Sequence, residues 1–259
     1  MIPPFTLASD PTVQIQLRDA TVADAMDFAD VDDSHEEELT TLFLRKMQEG
    51  TIRDPRKWTA EDRCLALFWH WLHTTTDHDI ALSYDCLYCG EKHIYLQDFR
   101  VLGDHYTALN GSPLRKGQWK DENIVVHPLT GWDMEDLERK RLMFELAPGG
   151  LEHKKAKAAM TLEYFTMSVI FEDRTDKTPR DREKIKVRTR DKILAMSLDD
   201  FSVFAEMVSG LLSEIKHGLD MEYDEGRCYL IMPPHECPGG GGKTRVRYPF
   251  WNINYIPGL

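Results

Sequence analysis

Residues 80–99 read IALSYDCLYCGEKHIYLQDF. Ile80 to Asp85 and His93 to Phe99 are short runs rich in apolar and aromatic residues, and between them stands Cys86-Leu87-Tyr88-Cys89-Gly90. The pattern predicts a β-hairpin whose tip carries C-x-x-C-G. Such a tip is a knuckle: two thiolates and the turning backbone N–H groups converge on one tetrahedral metal ion. One knuckle is half a site. No thioredoxin-like βαβ pattern surrounds the two thiols, so a redox pair fits less well than a metal.

The other half is sought at the far end of the chain. Cys228 to Met232 reads as a strand, PPHECPGGGGK as a turn and Thr244 to Trp251 as a second strand. Two hairpin knuckles facing each other across a zinc ion make a zinc ribbon, whatever length of chain separates them. A second C-x-x-C would place a cysteine three residues before Cys237, but Pro234 stands there. Imidazole nitrogen is as good a zinc ligand as thiolate. The expected ligands are therefore Cys86, Cys89, His235 and Cys237, with Cys228 as the replacement fourth ligand and His93 as a further candidate. Four protein ligands leave no open coordination position, so the expected Zn2+ is structural.

Between and before the hairpins the periodicity is helical. Thr12 to Leu17 alternates like a half-buried strand, and a short helix over Val22 to Ala29 follows, capped by Thr21. Ser34 and Glu37 form a capping-box pattern ahead of a helix with Leu39, Leu42, Phe43 and Met47 on one face, ended by Gly50. Thr59 and Asp62 repeat the pattern before RCLALFWHWLH, apolar over much of its circumference and hence a central core helix. Asn110 to Asn123 reads as a loop, Ile124 to Val126 as a strand, and Met134 to Glu145 as a helix ended by Pro148 to Gly150. Leu151 to Phe171 is favoured as one helix, although its second half suits a strand, and Arg174 to Arg190 is charged and exposed. The clearest helix is Leu198 to His217, capped by Ser197 with Asp200 three residues on. The expected fold is α+β in a single domain, 1–259. It has a mainly helical body, about 20–75 and 130–220, and a small antiparallel zinc-ribbon-like element from two distant hairpins, 79–99 and 226–251.

The chain has 259 residues, with 32 Lys+Arg against 44 Asp+Glu and a formal charge of -12. That acidity argues against a general nucleic-acid binder, whose affinity is mostly phosphate neutralisation. No run approaches the ~18 consecutive apolar residues of a membrane span, and the first residues lack a signal-peptide pattern, so a cytoplasmic protein is expected. Five cysteines without an export signal favour thiol or metal chemistry over a disulfide framework.

Two enzymatic signals fail on inspection. Cys237 to Thr244 ends like a phosphate-binding G-x-x-x-x-G-K-[ST] loop, but its first position is cysteine and a strand-like run follows where a helix must begin. His70 and His73, with His78 nearby, lack the glutamate of H-E-x-x-H and read as structural. The acidic amino-terminal segment and the basic Lys177 to Lys192 region either pair within the molecule, mark partner surfaces or are solvated faces. The closing WNINYIPGL either packs under the core or docks into a partner.

The order of features resembles a family. PPFTL at 3–7, EEELTTLFL at 36–44, WTAEDRCLALFWHWL at 58–72, the C-x-x-C-G hairpin ending in LQDF, a long helical middle and a terminal cysteine-bearing hairpin look like the baseplate hub and tail assembly proteins of contractile-tailed, T-even-like bacteriophages. Cys86, Cys89 and Cys237 sit where that pattern expects metal ligands, and Pro234 departs from it. The resemblance implies a non-enzymatic morphogenesis protein, an incorporated part or a chaperone. Its partners would be other tail and baseplate proteins, and its place the host cytoplasm during assembly or the virion baseplate. The competing class is a regulatory or nucleic-acid-binding zinc ribbon, which requires Lys177 to Lys192, Lys243, Arg245 and Arg247 to converge on one face.

Overall fold

Thr21, Thr59 and Ser197 each accept a hydrogen bond from the backbone N–H three residues on, and each starts a helix. Capping satisfies a donor that the first helical turn leaves unpaired. The computed structural model describes residues 1–29, 33–103, 105–145, 151–172, 182–224 and 227–257. In chain order the first half comprises β1 (Phe5–Thr6), β2 (Gln14–Leu17), α1 (Val22–Asp27), α2 (Glu36–Met47), β3 (Gln48–Glu49), α3 (Ala60–Thr74), β4 (Asp79–Asp85), β5 (Lys92–Asp98) and the single turn α4 (Arg100–Gly103). The middle is β6 (Arg115–Trp119), β7 (Glu122–Val126), α5 (Gly131–Glu145), α6 (Leu151–Ser168), β8 (Val169–Glu172), α7 (Arg182–Leu194) and α8 (Leu198–Ser213). The last part is β9 (Met221–Asp224), β10 (Arg227–Ile231), β11 (His235–Glu236), β12 (Lys243–Thr244) and β13 (Arg247–Phe250). The fold is α+β, with small antiparallel sheets set around the helices.

Helix α3 is the centre, as its sequence predicts. Leu65, Ala66, Leu67 and Phe68 are fully enclosed, and Phe68 meets Trp71, Phe99 and Tyr255 in one aromatic cluster. The closing segment packs into this core: Tyr255 stacks on Phe250 with ring centroids 4.3 Å apart. Asn252 donates to Thr40 Oγ1 (2.9 Å), and the N–H of Ile253 donates to Glu36 (3.1 Å). A second apolar cluster joins Ile124, Val126, Val169 and Phe171 of the β6-β7-β8 sheet to Phe204 and Val208 of α8. Ala60, Leu129 and Met167 form a third, smaller cluster.

Several expectations are corrected. Ser34 does not cap α2, whose N-cap is His35 without a side-chain bond. The cap arrives from 101 residues away, where Glu138 accepts from the N–H of Glu37 at 2.9 Å. Glu37 itself pairs with the buried Arg63 (2.9 Å). Leu42 is exposed, and the buried face of α2 is Thr40, Thr41, Phe43, Leu44 and Met47. The expected loop 110–123 contains β6, a strand of mostly polar residues, and the expected long helix 151–171 yields at Val169 to β8, which completes that sheet. Helix α8 ends at Ser213, four residues early. The expected stop at Pro148 to Gly150 lies outside the described residues, as do 173–181 of the basic stretch. Three cations of α7 pair with acids of α5 and α6, Arg182 with Asp133 (2.5 Å), Arg190 with Glu163 (3.2 Å) and Lys186 with Asp136, and Lys192 pairs with Glu122 of β7. Of the amino-terminal acids, Asp24 pairs with Arg18 (2.6 Å) and Lys46 (3.0 Å). Among the described residues no helix is long and apolar enough to cross a membrane.

Candidate metal centre

The first hairpin is regular. Strands β4 and β5 pair from Asp79↔Asp98 to Asp85↔Lys92, and the tip closes with Cys86 N–H on Glu91 O and Gly90 N–H on Cys86 O, both 2.9 Å. Gly90 adopts the left-handed conformation, φ 73°, which glycine takes without steric cost.

The second hairpin is interrupted. Strand β10 pairs with β13 from Cys228↔Phe250 to Ile231↔Arg247, and β11 pairs with β12 through His235↔Thr244 and Glu236↔Lys243. Between these ladders the register slips by one residue at Pro233 and Pro234, as expected for residues that distort a ladder. The tip closes as the first does: Cys237 N–H donates to Gly242 O, again five residues on, at 2.9 Å. Cys237 therefore corresponds to Cys86, the first position of a knuckle. The place of a second cysteine falls after it, at Gly240, and not before it at Pro234. The glycine run is this tip. Gly240, Gly241 and Gly242 have φ of 71°, 139° and 150°, and a Cβ on Gly242 would lie 2.5 Å from the Tyr88 ring.

The two tips meet. Ligand atoms of Cys86, Cys89, His93 and Cys237 all lie within 4.8 Å of one another. Cys89 Sγ is 3.5 Å from Cys237 Sγ and 3.0 Å from His93 Nε2, and Cys237 Sγ is 3.8 Å from the same nitrogen. A tetrahedral ion with bonds of about 2.3 Å to sulfur and about 2.0 Å to nitrogen has edges of roughly 3.5–3.8 Å. The donor set can hold one metal ion.

The local field already favours thiolate at one corner. Backbone N–H groups of Cys89 and then Tyr88, turned toward the Cys86 sulfur, hold its pKa down at about 6. Burial, followed by hydrogen bonds to Cys86 and Cys89, pushes Cys237 up to about 11.

Three of the four expected ligands are thus together, and the fourth is replaced. His235 lies in the second hairpin but not in the cluster: its Nε2 is hydrogen-bonded to the Tyr84 hydroxyl, and its ring stacks on Tyr95 with centroids 4.1 Å apart. It buttresses the inner face of the first hairpin. His93 takes its place because it pairs with Tyr84 and so shares that inner face. Cys228 is elsewhere: it forms a hydrogen bond with Cys64 that, with burial, pushes the Cys64 thiol far above the usual range. His70, His73 and His78 each bond a backbone carbonyl, of Arg18, Trp69 and Leu72, as structural histidines do. Comparison with protein-family models, with curated proteins and with solved structures returns no match.

Proposed function

We propose that the protein is a non-enzymatic assembly protein whose two distant hairpins are tied by a structural zinc ion on Cys86, Cys89, His93 and Cys237. One observation carries this reading: cysteines 148 residues apart in sequence bring their sulfurs to 3.5 Å in a Cys3His set whose ligand atoms all lie within 4.8 Å of one another. Three thiolates and an imidazole suit zinc over harder cations, and four protein ligands leave no position for substrate or water. The role of such an ion is mechanical. It fixes the two hairpin tips to each other and presents a rigid β-surface.

The setting we propose is tail or baseplate morphogenesis of a contractile-tailed phage, with other tail proteins as partners. It rests on the sequence resemblance. The competing nucleic-acid-binding ribbon is disfavoured by charge pairing: Lys243 faces Glu236 (3.8 Å), Arg247 faces Glu222 (3.4 Å), and Arg182, Lys186 and Arg190 face acids of α5 and α6.

Elemental analysis of the full chain tests the metal, and affinity capture with co-expressed baseplate proteins tests the role. About one zinc per chain, absent from Cys86→Ala/Cys89→Ala, together with capture by the wild type alone, is expected. Metal-free wild-type protein overturns the first part. Steeply salt-dependent DNA or RNA binding overturns the second.

A further inference from the structure

Ile94 and Leu96 are 73% and 71% exposed, on the face of β5 turned away from the metal cluster. Antiparallel ladders alternate pairs that exchange both hydrogen bonds with pairs that exchange none. The bonds Phe99 N–H to His78 O (3.0 Å) and Cys86 N–H to Glu91 O (2.9 Å) fix which pairs are which. Counting inward from both ends, His93, Tyr95 and Gln97 bond to β4, so Lys92, Ile94, Leu96 and Asp98 direct their N–H and C=O groups outward. Among the described residues no third strand joins this two-stranded sheet.

That edge matches itself. Antiparallel pairing of β5 with β5 of a second copy, about a two-fold axis at Tyr95, sets Ile94 opposite Leu96 and Lys92 opposite Asp98, each twice. The four outward-facing residues meet one another in this register, as ladder parity demands. We propose that β5 is the edge through which two copies of this chain pair into one four-stranded sheet. The charges select the arrangement. Parallel pairing of β5 opposes Lys92 to Lys92 and Asp98 to Asp98. The outer edge of β4, read the same way, opposes Asp79 to Asp85 twice. Like charges directly opposite are destabilising and opposite charges stabilising. Asp98 already accepts four bonds from Arg100, one from its backbone N–H (2.9 Å) and three from its guanidinium (2.8–3.0 Å), so Lys92 of the second copy meets this carboxylate as a neighbouring opposite charge and not through a free lone pair. Pairing also satisfies the unpaired edge, which otherwise invites indiscriminate association, and sets Ile94 and Leu96 side by side across the new seam. This inference is independent of which metal the cluster holds.

Sedimentation of the full chain from about 1 to 200 μM tests it. A reversible dimer is expected. Lys92→Asp and Asp98→Lys should each raise its dissociation constant about tenfold or more, because two contacts per dimer turn repulsive. The double variant Lys92→Asp/Asp98→Lys should return to within about threefold of wild type. Circular dichroism confirms that each variant is folded. A monomer throughout that range overturns the proposal, as do singles that dimerise like wild type or a folded double variant that fails to recover.

Discussion

Helix α3 and the two hairpin tips are held by different physics. Nine of the 15 residues of α3 are buried, including Asp62, which accepts from Ser9 and Thr59, and Arg63, which pairs with Glu37, so the helix is fixed by packing and by buried polar contacts. At the tips Cys86 and Cys237 are buried, yet Leu87 is 92% exposed and Tyr88 54%. Too little apolar surface is removed from water there for burial to set the geometry. Turn hydrogen bonds shape each tip, and the proposed ion would join them. The tips also differ from each other: the first supplies three ligands and the second one. Loss of the ion should therefore free the second hairpin while the first keeps its ladder.

The largest effect is expected in the core. Phe68→Ala should lower global stability by about 3–5 kcal/mol without changing metal stoichiometry, read by denaturant melts and elemental analysis. Metal removal should do the reverse. A chelator should strip hydrogen-exchange protection from 235–244 first and 86–91 next, leaving 60–74 protected. Equal loss across all three would erase the distinction between regions. Gly242→Ala should cost about 1–3 kcal/mol, since φ 150° is nearly closed to alanine and the Tyr88 ring blocks its Cβ. Combining it with Tyr88→Ala should recover only the steric part.

The smallest effect is pH dependence within the body. Burial raises Glu138 from 4.5 to about 7. Between those values the unfolded state has released a proton that the folded state keeps, so this group makes stability fall as pH rises. Burial lowers His70 from 6.5 to about 4. There the unfolded state holds the extra proton, and stability rises with pH across that window. The two slopes oppose each other. Glu138→Gln should unmask the second, giving a gain of about 2 kcal/mol between about pH 4.5 and 6.5 in melts at fixed metal load. An unchanged pH profile would assign Glu138 an ordinary carboxylate.

The core was legible because its signals are local. Three caps and the apolar run of α3 name their own partners within a few residues. Strand β6 was not, because RKGQW is mostly polar and gains its pairing only from β7, which in turn needs β8 from 45 residues on. At the site, C-x-x-C-G was plain, but the choice between His93 and His235 depended on which face of β5 turns inward. Alternation offers two faces, His93-Tyr95-Gln97 and Ile94-Leu96, and apolarity points to the second. The structure turns the first inward, toward His235 and the cysteines, and leaves the apolar pair outside. The second knuckle misled for a related reason: Cys237 can begin a knuckle or end one. Pro234 drew attention upstream, whereas the closing bond to Gly242 shows that it begins one.

The identity of the ligands is read most directly by X-ray absorption at the zinc edge. Three sulfurs at about 2.3 Å and one nitrogen at about 2.0 Å are expected, with the nitrogen lost in His93→Ala and kept in His235→Ala. Two sulfurs with two nitrogens, or a nitrogen that vanishes with His235, would contradict this ligand set.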